Sequence, residues 1–527
     1  VLASSFEVEQ VNVRLLKTRL NGYQETHMKS NLWLVFLCAL VLNGAEAKDQ
    51  AVSSRQRNLA ATRNLYSELT SGSTPKIAEL TLFTNMLPKG GDLHHHYSGA
   101  IYAETYLDWV EVQNYCVYRA SDAALKIEKF KIETKPQKLN EAARLLCVSA
   151  ERVREDNSFY RELLEKWSDK DFDNHFHEQA APDKHFFDTF GYFGEVSDYD
   201  YSTGLQVLKE RAKAENLGYL ETMLKSGPAI EHPELDKRLN ALNAASSSQQ
   251  IDDTLSQATD LLAGDAGTID LIDGYAKTVE AAAAGLDDED FRLRFLVYVG
   301  RNGSPAKVFS SLYGSFAVAL RSKLVVGVNI VAPENGHVSM RDYGLHMKMF
   351  AFLKKRFPGV RLSLHAGELA LGMVPPEGLR SHIREAVLVA GADRIGHGVD
   401  IAHEAGALEL LRKMKQREIA VEINLSSNAF ILGIKNEAHP LRLYNRFGVP
   451  IVISTDDAGV SRNNLSSEYL LYVSRYTPSY DELKRVVYNS IRYSFLPEDE
   501  KRDEMMRLDK RFTEFEASMA RLPRTLR

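Results

Sequence analysis

Three consecutive histidines, His94 to His96, stand in "GGDLHHHYSGA", and His365 and Glu368 stand in "LHAGE". His397 lies in "GHG", and Asp456 and Asp457 in "ISTDDAG". Each group closes a short apolar run, a poor way to build a core but a good way to build a site. Side chains alternate along a strand, so His94 and His96 project to one side and His95 to the other. Two imidazoles so placed can share a metal, and His365 with Asp456 completes a set of three imidazoles and one carboxylate. That set suits one Zn2+ with an oxygen ligand in the remaining position. Zinc lowers the pKa of a bound water towards neutrality, so the chemistry indicated is hydrolysis. His397 reads as base and electrostatic anchor, Glu368 as the acid for a leaving or ring atom, and Asp457 as a group facing the substrate.

The elements that must carry these groups alternate along the chain. Apolar runs near 217, 293, 324, 360, 393, 419 and 450, with "GGDLHHHY", make eight candidate strands separated by helix-patterned stretches such as "SHIREAVLVAGA". This pattern predicts an α/β protein, a (β/α)8 TIM-type barrel with its functional groups at the C-terminal strand ends. An open doubly wound sheet would need a phosphate-cradling glycine turn, which is absent from the sequence. Residues 48–85 read as N-terminal helices, 86–107 with 180–527 as the barrel, and 108–179 as an inserted helical lobe. Thr477 and Pro478 read as the N-cap and first-turn proline of a closing helix.

The 527 residues are 44% hydrophobic with a formal net charge of −6, which gives no long-range attraction to nucleic acid. Met28-Lys29-Ser30, the run "LWLVFLCALVL" and "NGAEA" have the parts of a signal peptide over 28–47. On that reading residues 1–27 are an over-extended gene start and the chain is exported, secreted or periplasmic, with no stable membrane anchor after cleavage. Cys116 and Cys147 then form a disulfide closing a loop within the lobe, contributing roughly 3 kcal/mol. Asn302, Asn424 and Asn464 fit the glycosylation sequon. The N-terminal helices offer a face for a homodimer.

The ordered segments "MLPKGGDLHHHYSGA", "LHAGE", "REAVLVAGADRIGHG", "VEINLSSN", His439-Pro440, "GVPIVISTDDAGV" and "EYLL" resemble the adenosine deaminase family of zinc amidohydrolases. Export and the inserted lobe make the chain similar to its secreted branch, which includes the adenosine deaminase-related growth factors. The resemblance implies a purine nucleoside substrate and hydrolysis of a cyclic amidine C–N bond: adenosine, and 2′-deoxyadenosine, to inosine and ammonia. It implies zinc on His94, His96, His365 and Asp456. Glu368 matches the acid that protonates N1, His397 the residue that orients the attacking water, and Asp457 the acceptor at N7. Phe186 and Phe190, in "FFDTFGYF", match an apolar wall over the purine. Two positions depart: Ser98 stands where intracellular members carry a ribose-holding aspartate, and Ala332 where they carry a glycine whose amide meets N3.

Two other readings keep the fold. One is an exported signalling or binding protein with vestigial catalysis, and the other an amidohydrolase for another amino-purine. Cytidine-type zinc deaminases are excluded, because their His-x-Glu and Pro-Cys-x-x-Cys signature is missing from the sequence.

Overall fold

The computed structural model describes residues 52–72, 74–170 and 180–522. The eight apolar runs form eight parallel strands: β1 Lys89–His96, β2 Leu217–Ser226, β3 Arg292–Gly300, β4 Val325–Val331, β5 Ser363–Ala366, β6 Arg394–His397, β7 Ala420–Ile423 and β8 Ile451–Ile453. They lie in two four-stranded halves, β1–β2–β3–β4 and β5–β6–β7–β8. A bridge between Val328 and Leu362 joins the halves at one seam, and a bridge between His95 and Asp456 joins them at the other. The second seam is tied by Asp456 N–H donating to the His94 carbonyl at 2.9 Å and His96 N–H to the Asp456 carbonyl at 3.1 Å. The barrel therefore closes at residues whose side chains face its C-terminal mouth.

Strands buried on both faces read as continuous apolar runs, and "LRFLV" in β3 is buried throughout. The intervening helices start and stop by local chemistry. Ser304 caps the helix Pro305–Arg321 by accepting from Lys307 N–H, with Pro305 in its first turn. After "HIREAVLVA", Gly391 takes a left-handed conformation at φ 75° and ends the helical turns. The helix over 52–70 and the helix Ile77–Met86 pack on the C-terminal helices, with Phe83 meeting Phe515 edge-on at 5.2 Å. The signal-peptide segment 28–47 lies outside the described residues; among those described, no helix is long and apolar enough to cross a membrane.

The insertion differs from the helical expectation. Its helices Glu141–Leu146, Ala150–Glu155 and Asn157–Lys166 are short, and a three-stranded antiparallel sheet sits among them. Cys147 and Val148 leave the helical path because they pair with Tyr118 and Val117, and Ser149 and Asp156 then cap fresh helices. The Cys116–Cys147 disulfide joins two strands of that sheet. Thr477 is also corrected: with φ 46° it closes the helix Leu465–Tyr476, and Ser479 caps the next helix in a reciprocal pair with Glu482. Asn424 is fully buried, so this sequon offers no surface for a glycan.

Replacing Cys147 by Ser should loosen the lobe by roughly 3 kcal/mol, the value for a loop of this length. Hydrogen exchange should rise across 116–148 while β5 to β8 keep their protection. Equal protection of the lobe in both proteins would refute this.

Candidate metal and active site

The strand ends bring His94, His96, His365 and Asp456 together. Asp456 Oδ1 lies 3.4 Å from His94 Nε2 and 3.3 Å from His96 Nε2, and the Nε2 atoms of His96 and His365 are 3.2 Å apart. His94 Nε2 is buried and has no hydrogen-bond partner. His397 stands beside them, its Nε2 3.7 Å from Glu368 Oε1 and 4.0 Å from Asp456 Oδ2. Nitrogen and carboxylate atoms of His94, His365, His397 and Asp456 all fall within 4.8 Å of one another. His95 points away and meets Thr222 Oγ1 at 2.9 Å, as strand alternation predicts.

A ring nitrogen can ligate a metal only if the ring's proton sits on the other nitrogen. Nδ1 of His94 lies 2.7 Å from Glu422 Oε2, an acceptor, so the proton belongs there and Nε2 keeps its lone pair. Nδ1 of His365 lies 2.9 Å from Asn329 Oδ1. The backbone N–H groups of Ile330 and His365 donate to that same oxygen, which fixes the amide's orientation. Two imidazoles are thus set to offer Nε2 to a common point. Three imidazoles and a carboxylate so arranged fit a divalent metal by donor type and by orientation.

Sequence reasoning missed the residues beneath this cluster. Glu422 accepts from Arg394 Nε at 2.5 Å and Ser363 Oγ at 2.8 Å, and Arg394 also donates to Glu221 at 2.5 Å. Glu334 accepts from the amides of Gly367 and Glu368 at 2.9 Å each and so places the Glu368 backbone. Their signal was available: Glu422 in "AVEI" and Asn329 in "VVGVNIV" are polar residues inside apolar strands. Gly396 is required by close approach, since a Cβ there would stand 2.8 Å from the His94 ring.

Burial and charge set the protonation of the acids. Burial raises the Glu368 pKa well above its ordinary value, and the Asp456 and Glu334 carboxylates push the same way. Asp457 is raised likewise by burial and then by Asp456. Burial also works against the Asp456 anion, but the imidazoles of His94, His96 and His397 that face it outweigh this and hold the pKa well down. For Glu422 burial is overcome by Arg394 and His94, leaving its pKa at about 2.

A cavity of about 350 Å³ lies over the cluster, lined by His96, Ser98, Phe186, Phe187, Phe190, Tyr298, Val331, Ala332, Pro333, His365, Glu368, His397, Asp456 and Asp457. Every substrate-side residue expected from sequence is on its wall. Phe187 falls within the expected stretch "FFDTFGYF" but was not singled out, and Tyr298 was not anticipated, because helix and strand periodicity does not say which aromatic faces a cavity. Asp457 Oδ1 is buried without a partner. Its carboxylate rests against Gly99, where a Cβ would collide at 1.6 Å. Three non-glycine residues at the strand ends have left-handed backbones: Ala332 at φ 83°, His397 at 65° and Asp456 at 61°. Strain of this kind, of order 1–3 kcal/mol per residue, collects where side chains are held for function. At Ala332 the backbone keeps the form that suits glycine while carrying a methyl group.

The model of the family described as adenosine deaminase matches residues 266–511. The chain is 28% identical over 240 residues to an adenosine deaminase of Mycobacterium bovis, which covers 44% of this chain and 60% of that protein. It is 29% identical over 237 residues to one from Mycobacterium sp., covering 43% and 60%. Over residues 266–511 this chain is similar to the adenosine deaminase family. It matches less than two thirds of the length of those relatives. The fold is shared with arabidopsis ADAL complexed with GMP, with a TM-score of 0.51, 18% identity, and coverage of 81% of this chain and 98% of that one. The matched region 266–511 holds His365, Glu368, His397, Asp456 and Asp457. His94 and His96 lie ahead of it, and barrel closure brings them in.

Glu422→Gln should weaken metal binding about 10- to 100-fold by removing the anion that holds the His94 proton. Competition with a chelator measures this, and an unchanged affinity would show that Glu422 does not tune the site.

Proposed function

We propose that the chain is a zinc-dependent hydrolase that converts adenosine, and 2′-deoxyadenosine, to inosine and ammonia. The observation carrying this reading is the meeting, in one cavity, of three imidazoles and a carboxylate with two buried acids under a phenylalanine wall. Zinc on His94, His96, His365 and Asp456 would supply a water acidic enough to attack at neutral pH.

The chain's own residues do the rest. Glu368, kept protonated by burial, gives its proton to N1 and draws electron density from C6. His397 stands on the metal side of Glu368, where it anchors the attacking water. Adenine N7 has only a lone pair, so Asp457 must meet it as a protonated donor, not as an acceptor. Burial beside Asp456 favours that form. A bond from C6 to the water oxygen forms and the bond from C6 to the amino nitrogen breaks; of the water's two protons one restores Glu368 and the other leaves on the amino nitrogen as ammonia. Phe186, Phe187 and Phe190 exclude water from the purine face. The Ala332 amide remains available to N3.

A nucleoside fits better than a nucleotide because the cavity wall carries no Lys or Arg to pair with phosphate. The signal-peptide pattern at 28–47 and the Cys116–Cys147 disulfide support export, since disulfides persist in oxidising compartments.

Purified protein supplied with zinc should remove the adenosine absorbance and leave AMP almost untouched. A metal-loaded protein inert towards adenosine would sink this reading. Glu368→Gln should keep its metal and lose at least about 100-fold in kcat, so full activity would mean that another group is the acid. Ser98→Asp should lower KM for adenosine several-fold by restoring a charged partner for the sugar; an unchanged KM would place sugar recognition elsewhere.

A further inference from the structure

His397 differs from the ligand imidazoles in which nitrogen its surroundings claim. Its Nδ1 faces the Asn428 side chain, with Asn428 Nδ2 at 2.9 Å and Asn424 Nδ2 at 3.4 Å. An amide can be turned either way, so its orientation must be settled by something that cannot turn. A backbone amide settles it here. Leu441 N–H donates to His439 Nδ1 at 3.2 Å, so that nitrogen is bare and the His439 proton sits on Nε2. His439 Nε2 lies 3.2 Å from Asn428, and having a proton to give, it must face the amide oxygen. The Asn428 amino group then points at His397 Nδ1 and donates to it. His397 consequently carries its own proton on Nε2, the nitrogen turned towards Glu368 and Asp456. All three side chains are buried, so water cannot substitute for a member of the chain. Burial also keeps the His439 ring neutral, with its pKa at about 3.

We propose that His439 and Asn428 are positioning residues that lock His397 into its Nε2–H tautomer, making it a hydrogen-bond donor to the attacking oxygen and barring it from metal ligation. The rings around Asp456 are thereby sorted by opposite tautomers. His94 and His365 donate hydrogen bonds from Nδ1–H to Glu422 and Asn329 and keep Nε2 bare, whereas His397 accepts a hydrogen bond at Nδ1 and carries its own proton on Nε2. On this proposal a neutral His397 with Nε2–H serves as anchor for the water and not as acceptor of its first proton. This rests on the deaminase reading only for its catalytic consequence, since the tautomer is a property of the folded chain.

The test is a long-range proton–nitrogen NMR correlation on zinc-loaded, histidine-labelled protein, with His397 assigned by the loss of its signals in His397→Gln. A bare Nδ1 and a protonated Nε2 are expected, and a protonated Nδ1 would overturn the proposal. Asn428→Asp replaces the donor by an acceptor. It should reverse the tautomer and lower kcat about 100-fold with KM within about twofold. Either an unchanged tautomer or full activity in this variant would count against the lock. His439→Gln can still donate to the Asn428 oxygen and should keep the native tautomer and most of kcat, whereas His439→Leu should lose both. Equal behaviour of these two would remove His439 from the chain of control. Should Asn428→Asp fail to fold, the wild-type spectrum and the His439 pair decide the matter. Wild-type protein with the expected tautomer but no adenosine turnover would refute the reaction and spare the lock; active protein with the opposite tautomer would do the reverse.

Discussion

The carboxylate of Glu422 is the interaction on which the site depends. It is fully buried, and a charge so placed is tolerable only when paired and hydrogen-bonded on every side. Arg394 and Ser363 share one oxygen and His94 takes the other. Arg394 passes the link to Glu221, so β1, β2, β5, β6 and β7 are tied by one polar network crossing the barrel interior. Filling that interior with apolar side chains would pack it as well, but nothing would then decide which His94 nitrogen carries the proton. The network spends burial of charge on orientation, which matters only because a metal must find lone pairs already aimed.

Closure of the barrel and assembly of the metal site are the same event. The seam between β8 and β1 is made by the main chains of His94, His96 and Asp456, whose side chains are three of the four groups proposed to hold the metal. β8 is only three residues long, and its path turns at Asp456 into a left-handed conformation. A short strand ending in strain makes a weak seam by itself. A cation bound across it favours the closed barrel by mass action, so stability and metal occupancy are linked.

The sequence made the strands and their parallel order legible, and the period of two assigns a face to each of the four residues proposed to hold the metal, which close apolar runs. His95, turned to Thr222, follows from that rule alone. What stayed hidden depends on contacts between distant segments. The lobe's small sheet arises from Val117 and Tyr118 pairing with Val148 and Cys147 across about thirty residues of intervening chain, a non-local pairing that overrides a local helical pattern. Thr477 was misjudged because threonine before proline suits either side of a helix boundary, and Ser479 with Glu482 offers the better cap. Glu334 and Asn428 were not singled out as parts of the site because they act on other residues of the chain, whereas Asn329 left the mark of a polar residue inside an apolar strand.

The positions of Ser98 and Ala332 show that departure from a pattern has different weight at different places. At Ala332 the function is carried by the backbone, which keeps its left-handed turn, so an added methyl costs about 1 kcal/mol of strain and leaves the amide in place. At Ser98 the function is carried by the side chain itself, and a neutral hydroxyl cannot reproduce a carboxylate's charge-assisted hydrogen bond. Ser98 lies in the short helix Tyr97–Ala100 that follows β1, and its carbonyl accepts from the hydroxyl of Tyr106 at 2.6 Å. Its backbone is therefore fixed, and only the side chain is free to tune what the cavity accepts. Tyr298, near the end of β3, lies on the same cavity wall. On the proposed reaction, attack at C6 rests on strand ends locked by buried charge, while the sugar side carries a neutral serine, so selection can change the second without disturbing the first.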